Sequence, residues 1–168
     1  RIIPWLESAS AIVHAFEILC ADPRVVAAAF GAEDFTHDMG IRRVGDESEV
    51  GFARQSMCIA ARAAGVPALD TPYFSFRDEQ GLRANIAESR QCGFKGKFAI
   101  HPAQVDVING AFAPSAEEID YARRVVAAFE EAERSGRGST SLEGLVIDVP
   151  VVKRARALLR ELASPWPD

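Results

Sequence analysis

Cysteine is scarce in this chain: Cys20, Cys58 and Cys92 are the three in 168 residues, odd in number and widely spaced in segments that read as helices. Neither a disulfide framework nor a zinc site has that pattern, so free thiols and a reducing compartment are expected. Basic runs are missing too. Lys and Arg number 19 against 24 Asp and Glu, a formal net charge of −5 with the signs interspersed, which argues against a nucleic-acid surface or an anionic-membrane anchor. No apolar run approaches membrane-spanning length, and the N-terminus lacks the charged, apolar and small-residue succession of a signal peptide. A cytoplasmic protein is expected. There is no internal repeat, no low-complexity tract and no initiator Met. Arg1-Ile2-Ile3-Pro4-Trp5-Leu6 already reads as a buried strand, the start expected of a fragment of a longer chain.

What is present is an ordinary globular composition, 48% apolar and 26% charged, enough to bury a sizeable core. From Ile2 to Ile100, short apolar runs alternate with helical periodicity, the pattern of β/α units on a parallel sheet. Ile2 to Leu6 is the first expected strand, and Ile12, Val13, Phe16 and Leu19 share one face of a helix that stops at Asp22-Pro23. Val25 to Phe30 is the second strand. A longer polar loop follows, then a helix from about Ser48 to Ala64 closed by Gly65. Ala68 to Phe74 reads as a third strand, Asp78 as the N-cap of a helix ending at Gly93, and Lys97 to Ile100 as a fourth strand. Half a (β/α)₈ barrel has this pattern, and so does a complete small doubly wound domain.

The character changes beyond Pro114. Ser115-Ala116-Glu117-Glu118 makes a capping box ahead of a helix with Ile119, Ala122, Val126 and Phe129 on one face. Ser135 to Thr140 reads as a flexible link. Leu145 to Val149 is a short extended piece, and Pro150 suits the first turn of a helix running to about Leu162. Residues 1–114 and 115–168 are the expected domains.

Chemistry concentrates where strands end. Glu7 follows the first strand, and Asp34 lies just past the second. In a parallel sheet both loops open on one edge, so the two acids can meet, and two carboxylates with open positions suit Mg²⁺. They would equally cap the following helices or sit solvated. Gly31 either lets backbone amides approach an anion such as a substrate carboxylate or is a simple turn residue. Asp70-Thr71-Pro72-Tyr73 ends a strand at the open face, and Ile100-His101 ends the last; either segment lines a binding site or is an ordinary proline turn. His14 and His37 have no paired ligand spacing.

Four segments, taken together, resemble the citrate lyase β-subunit-like family, which includes malyl-CoA and citramalyl-CoA lyases within the HpcH/HpaI aldolase superfamily. They are Ile3 to Ala9, Phe30 to Thr36 with Met39-Gly40, Lys97 to Val105, and Phe112 to Ser115. The resemblance implies an α/β fold: the C-terminal half of a (β/α)₈ TIM barrel, strands five to eight, with a helical C-terminal extension. It implies Mg²⁺ held by Glu7 and Asp34; Gly31, Ala32, Glu33, Asp70, Pro72, Tyr73, Ile100 and His101, at the strand ends, are the expected substrate-binding residues. Ile147-Asp148-Val149-Pro150 is similar to the family's extension, where an aspartate acts as acid/base group in a neighbouring subunit's site, so Asp148 is the catalytic candidate; otherwise it is an acid favoured at a helix N-terminus. A homo-oligomer, a trimer or a multiple of one, is implied.

The implied reaction is cleavage of a 3-hydroxyacyl-CoA thioester (malyl-CoA, citramalyl-CoA or a citryl thioester) to acetyl-CoA and a 2-oxo acid. The family's Asp-Leu-Glu-Asp segment, enolate-stabilising arginine and Pro-Lys segment do not occur here, so this chain is expected to be incomplete as an enzyme. A metal-dependent pyruvate aldolase of the same superfamily and a non-catalytic barrel subunit are the alternatives.

Overall fold

Apolar strands too short to bury both faces alone are covered here by the helices that follow them. The computed structural model describes residues 1–163, which divide into two units, Arg1–Phe112 and the residues from Ala113 onward. The first unit runs β1 (Trp5–Leu6), α1 (Ala9–Val13), α2 (Ala15–Cys20), β2 (Ala28–Phe30), α3 (Ala32–Asp38), α4 (Gly51–Ala64), β3 (Ala68–Asp70), α5 (Glu79–Cys92), β4 (Gly96–Lys97) and α6 (Val105–Phe112). The sheet order is β1-β2-β3-β4 and every pairing is parallel. Sequence neighbours are sheet neighbours throughout, without the reversal of order that marks a doubly wound sheet. All segments that follow strands therefore gather at one edge.

Side-chain alternation gives the sheet two different faces. Leu6, Ala28, Phe30 and Ala68 are buried in one cluster with Leu19, Val50, Met57 and Ala61 from the covering helices and turns. Burial of a side chain such as Phe30, Leu6 or Met57 contributes roughly 1.5–3 kcal/mol. Trp5 and Phe98 lie on the other face, with ring centroids 4.5 Å apart. In a flat sheet the outer two of four strands would be roughly 14 Å apart. The sheet is therefore curled, with the Trp5 face concave.

Two helix ends follow directly from glycine. Gly65 (φ 77°) and Gly93 (φ 109°) take the left-handed conformation, and Val66 N–H donates to the Ala61 carbonyl and Phe94 N–H to the Ser89 carbonyl. This satisfies carbonyls that a helix end leaves unpaired.

Elsewhere the structure departs from the sequence pattern. The helix expected through Leu19 breaks at His14, between α1 and α2; the break turns Val13 (75% exposed) and Phe16 (46%) outward and buries Ala15 and Leu19. The expected polar loop holds α3, and the helix expected from about Ser48 opens as a 3₁₀ turn over Ser48–Val50 before α4 begins at Gly51. The third and fourth strands end at Asp70 and Lys97 rather than Phe74 and Ile100. Pro72 has no N–H for the ladder, and the chain past Lys97 turns into a 3₁₀ segment, Pro102–Gln104.

The second unit comprises α7 (Ala116–Arg134), β5 (Thr140–Leu142), β6 (Leu145–Ile147) and α8 (Val149–Ala163). The capping box forms: Ser115 Oγ accepts from Glu118 N–H at 3.1 Å, and Glu118 Oε2 from Ser115 N–H at 2.7 Å. Residues 135–139 of the expected link are turn and irregular chain; the extended piece from Leu145 is β6, and it pairs with an unexpected strand, β5, in an antiparallel hairpin. Glu143 (φ 52°) and Gly144 (φ 81°) make its two-residue turn, the conformation that matches strand twist. Ala122, Val125, Phe129, Ile147, Val152 and Ala155 form its core. The last five residues of the expected extension, 164–168, lie outside the described residues. Among the described residues no helix is long and apolar enough to cross a membrane, and the three cysteines are free thiols.

Candidate metal and substrate site

Glu7 leaves β1 into a turn that is pinned on both sides. Ser8 Oγ caps α1 by accepting from Ala11 N–H at 3.2 Å, and Ala9 N–H donates to Asp38 Oδ2 of α3 at 2.7 Å. That second bond ties the Glu7 turn to the helix carrying Asp34. Phe35 anchors α3 inward, buried and 5.7 Å from Phe30 between ring centroids, which leaves Asp34, one residue earlier, on the exposed side.

Glu7 and Asp34 meet. Burial and, next, the neighbouring Asp34 carboxyl push the Glu7 carboxyl above its ordinary value. Gly31 makes the approach possible: a Cβ there would lie 2.5 Å from Glu7 Oε2 and 2.7 Å from Glu7 Cβ. Its φ of −107° is open to any residue, so the requirement for glycine is steric and not conformational. Two like-charged carboxylates in one place favour a shared cation, and hard oxygen donors suit Mg²⁺. Among the described residues no group of three or more His, Cys, Asp or Glu converges on one point, so a cation here would find at most these two carboxylates.

The neighbouring predicted residues divide. Ala32 is buried, and its N–H donates at 3.4 Å to Thr71 Oγ1. Glu33 is exposed and receives Arg43 Nε at 3.0 Å, while Arg43 also holds Glu47 and Glu49 at 2.9 and 2.8 Å.

Asp70 does not face the open edge. It shares the helix-facing side of β3 with Ala68, is fully buried, and its Oδ2 receives Arg54 Nη2 at 2.6 Å, Lys97 Nζ at 3.0 Å and the Ser89 hydroxyl. Burial alone would raise its carboxyl, but the Lys97 and Arg54 charges, with hydrogen bonds from Ser89 and Arg54, hold it below the ordinary carboxylate range. The expectation that Asp70 lines the substrate region gives way to a place in a buried ion network.

Tyr73, Ile100 and His101 come together around a residue that sequence reasoning left without a role. Gln104, 1% exposed, donates from Nε2 to the Tyr73 carbonyl at 2.7 Å and accepts from Ile100 N–H at Oε1, 2.9 Å. The Tyr73 hydroxyl donates to Asp78 Oδ2 at 2.9 Å, and half-buried Pro72 precedes it. His101 Nδ1 accepts from Ala103 N–H at 3.1 Å, and its ring stacks on Phe76 with centroids 4.7 Å apart. Phe76, Arg77, His101 and Gln104 are among the walls of a cleft of about 470 Å³.

Asp148 belongs to the second unit, where its Oδ1 accepts from Val151 N–H at 3.2 Å at the start of α8. Asp38, Arg43 and Gln104 were the supporting residues missed. The available signals were weak: an acid at the end of a short helix, and a glutamine two residues after His101-Pro102.

Comparison with known proteins bears on all of this. Residues 1–102 match the family model described as HpcH/HpaI aldolase/citrate lyase. The chain is 42% identical over 158 residues to citrate lyase subunit beta of Escherichia coli (strain K12), covering 94% of this chain and 52% of that protein. It is 35% identical over 168 residues to the mitochondrial citramalyl-CoA lyase of Rattus norvegicus, covering 95% and 49% respectively. Its fold is similar to the Mycobacterium tuberculosis CitE protein solved with magnesium, acetoacetate and coenzyme A: TM-score 0.81, 35% identity, 96% of this chain and 61% of that one. The chain thus spans about half the length of the curated relatives it matches, and its α/β fold is that of the TIM-barrel-like citrate lyase β-subunit structures.

Proposed function

The chain belongs to the HpcH/HpaI aldolase/citrate lyase family, and from that premise we propose that it is the C-terminal half of a Mg²⁺-dependent carbon–carbon lyase acting on a 3-hydroxyacyl-CoA thioester. The sequential parallel order of β1 to β4 and the curl that brings Trp5 to Phe98 support strands five to eight of a (β/α)₈ barrel, with residues 1–114 in the barrel and 115–168 as the extension. The remaining strands would come from outside these residues. The products would be acetyl-CoA and a 2-oxo acid, and the assembly a homo-oligomer.

The observation that carries this reading is the Glu7–Asp34 pair, with Gly31 leaving room for it. These two carboxylates would hold Mg²⁺, which when bound supplies Lewis-acid polarisation to a substrate oxygen. The chain's own residues do the rest. Gly31 keeps the backbone next to the pair open to a substrate carboxylate. The Gln104-linked segments bearing Tyr73, Ile100 and His101 form a wall at the edge where strands end. Asp148, from the extension of a neighbouring subunit, moves the proton at the acetyl carbon.

Full-length protein with Mg²⁺ is expected to release acetyl-CoA from malyl-CoA, citramalyl-CoA or a citryl-CoA thioester. Asp34→Asn should weaken Mg²⁺ binding, measured calorimetrically, by roughly 10²-fold or more, since losing even an outer-shell partner of a metal ligand costs 10–100-fold. Unchanged Mg²⁺ affinity sinks the metal assignment. Cleavage of free 2-oxo acids with no thioester requirement would favour a pyruvate aldolase.

Gly31→Ala tests the packing beneath the pair. The added methyl must displace Glu7 through a contact at Glu7 Cβ, which cannot swing aside as the carboxylate end can. The expected result is about 1–3 kcal/mol of lost stability, the usual cost of overpacking, with Mg²⁺ affinity at least tenfold weaker. A variant binding Mg²⁺ like wild type would show that Glu7 has no fixed place in the site.

A further inference from the structure

A glutamine buried to 1% exposure with both ends of its amide bonded to main chain is a fixed strut. Its neighbours are unusual for a strut. Ile100 is 48% exposed and Tyr73 only half-buried, so Gln104 joins two segments at the surface and not two parts of the core. One follows β3 and carries Phe76 and Arg77; the other follows β4 and carries His101. Only a side chain with one donor and one acceptor at the same reach bridges a carbonyl and an N–H at once, which selects the amide over a carboxylate or a thioether.

We infer that Gln104 is a positioning residue: by bonding the Tyr73 carbonyl and the Ile100 N–H, it sets the Phe76–His101 stack that walls the cleft at the strand-end edge. The His101 ring is set from its other side by the Ala103 N–H bond to Nδ1, which leaves Nε2 carrying the ring proton in the neutral form. Phe76 takes the Arg77 guanidinium on its ring, 5.3 Å from the centroid, so its ring meets both a guanidinium and the His101 imidazole. No strand holds the Phe76 segment, which lies between β3 and α5. Gln104 is what registers it against His101. A cleft of about 470 Å³ lies within the size range of ligand sites, and a wall fixed in advance lowers the ordering cost of binding.

The test uses full-length protein and two readouts that do not need turnover. In wild type, the Ile100 amide should show slow hydrogen exchange although the residue is exposed; exchange at the rate of an unprotected chain would overturn the inference without any variant. In Gln104→Met, which has similar length but no donor, the His101 ring resonances should move to the positions they take in Phe76→Leu, because the ring-current shift from the stack is lost. Circular dichroism establishes that both variants are folded. Native His101 resonances in folded Gln104→Met would also overturn it. A third arm rests on the lyase reading above: Gln104→Met should raise KM for the thioester at least tenfold while kcat stays within about threefold. A role confined to stability would lower the amount of active enzyme and leave KM in place. If exchange and resonances behave as stated but no thioester is cleaved by wild type, the lyase reading fails and the strut stands.

Discussion

Asp70→Asn is expected to destabilise the protein by about 3–5 kcal/mol, the scale for breaking a buried charge pair by removing one partner. Arg54 and Lys97 would be left with their charges buried and uncompensated on that side: their side chains are 3% and 0% exposed, and Asp70 Oδ2 receives both. Glu47 still pairs Arg54 at 3.2 Å, so the penalty falls mostly on Lys97. The pH dependence has a definite sign. The Asp70 carboxyl is held below its ordinary value near 3.8, so its contribution is present above that value and is lost as pH falls through the depressed folded-state value. Urea denaturation of wild type should therefore lose stability in strong acid, while Asp70→Asn shows a flatter curve there and a deficit at neutral pH. A neutral-pH deficit under 1 kcal/mol would show that the network is not held by this carboxylate.

Asp70 also marks where the sequence was hard to read. Its place at a strand end suggested the mouth, because strand-end acids in β/α folds often reach ligands. Direction along a strand alternates, however, and Asp70 sits two residues after Ala68, whose small apolar side chain is buried under the helices. The period-2 rule would have sent Asp70 to the helix side. Glu7 and Asp34 could be placed at one edge from the sequence because both lie beyond their strands, where topology alone sets the edge. What topology could not supply is the means: the Ala9 to Asp38 bond and the Cβ-free position at Gly31 both depend on α3. α3 is seven residues long, below the length at which helical periodicity stands out in a sequence.

The same contrast holds in the second unit. The capping box at Ser115 was legible because Ser and Glu three apart satisfy each other's backbone N–H whatever the tertiary setting. The hairpin was not, because Thr140-Ser141-Leu142 follows two glycines and has little apolar content, while its turn uses Glu143-Gly144, a less common pair than Asn-Gly for two positive φ values. Pattern reasoning recovers interactions closed within a few residues. It loses those completed by a partner strand, as at β5 with β6, or by a distant loop, as at Gln104.

Asp148→Asn should lower turnover of the full-length enzyme by roughly 10²-fold or more, the scale for losing general acid/base help, and the structure makes the test unusually clean. Asp148 Oδ1 accepts from Val151 N–H at the start of α8, so a loss of activity could come from a frayed helix as readily as from a missing proton carrier. Asn caps a helix about as well as Asp, whereas Ala costs about 1 kcal/mol. Asp148→Asn should therefore melt like wild type and bind Mg²⁺ like wild type while losing turnover; Asp148→Ala should lose turnover and about 1 kcal/mol of stability. If Asn restores activity lost in Ala, capping is the whole role and Asp148 leaves the mechanism. The proposed action on a neighbouring subunit has its own consequence. Mixed oligomers of Asp148→Asn and Glu7→Gln protomers should regain part of the activity that each lacks alone, because some sites would then combine an intact carboxylate pair with an intact extension from the other protomer. Verified mixed oligomers with no recovery would mean that each site uses the Asp148 of its own chain, or none.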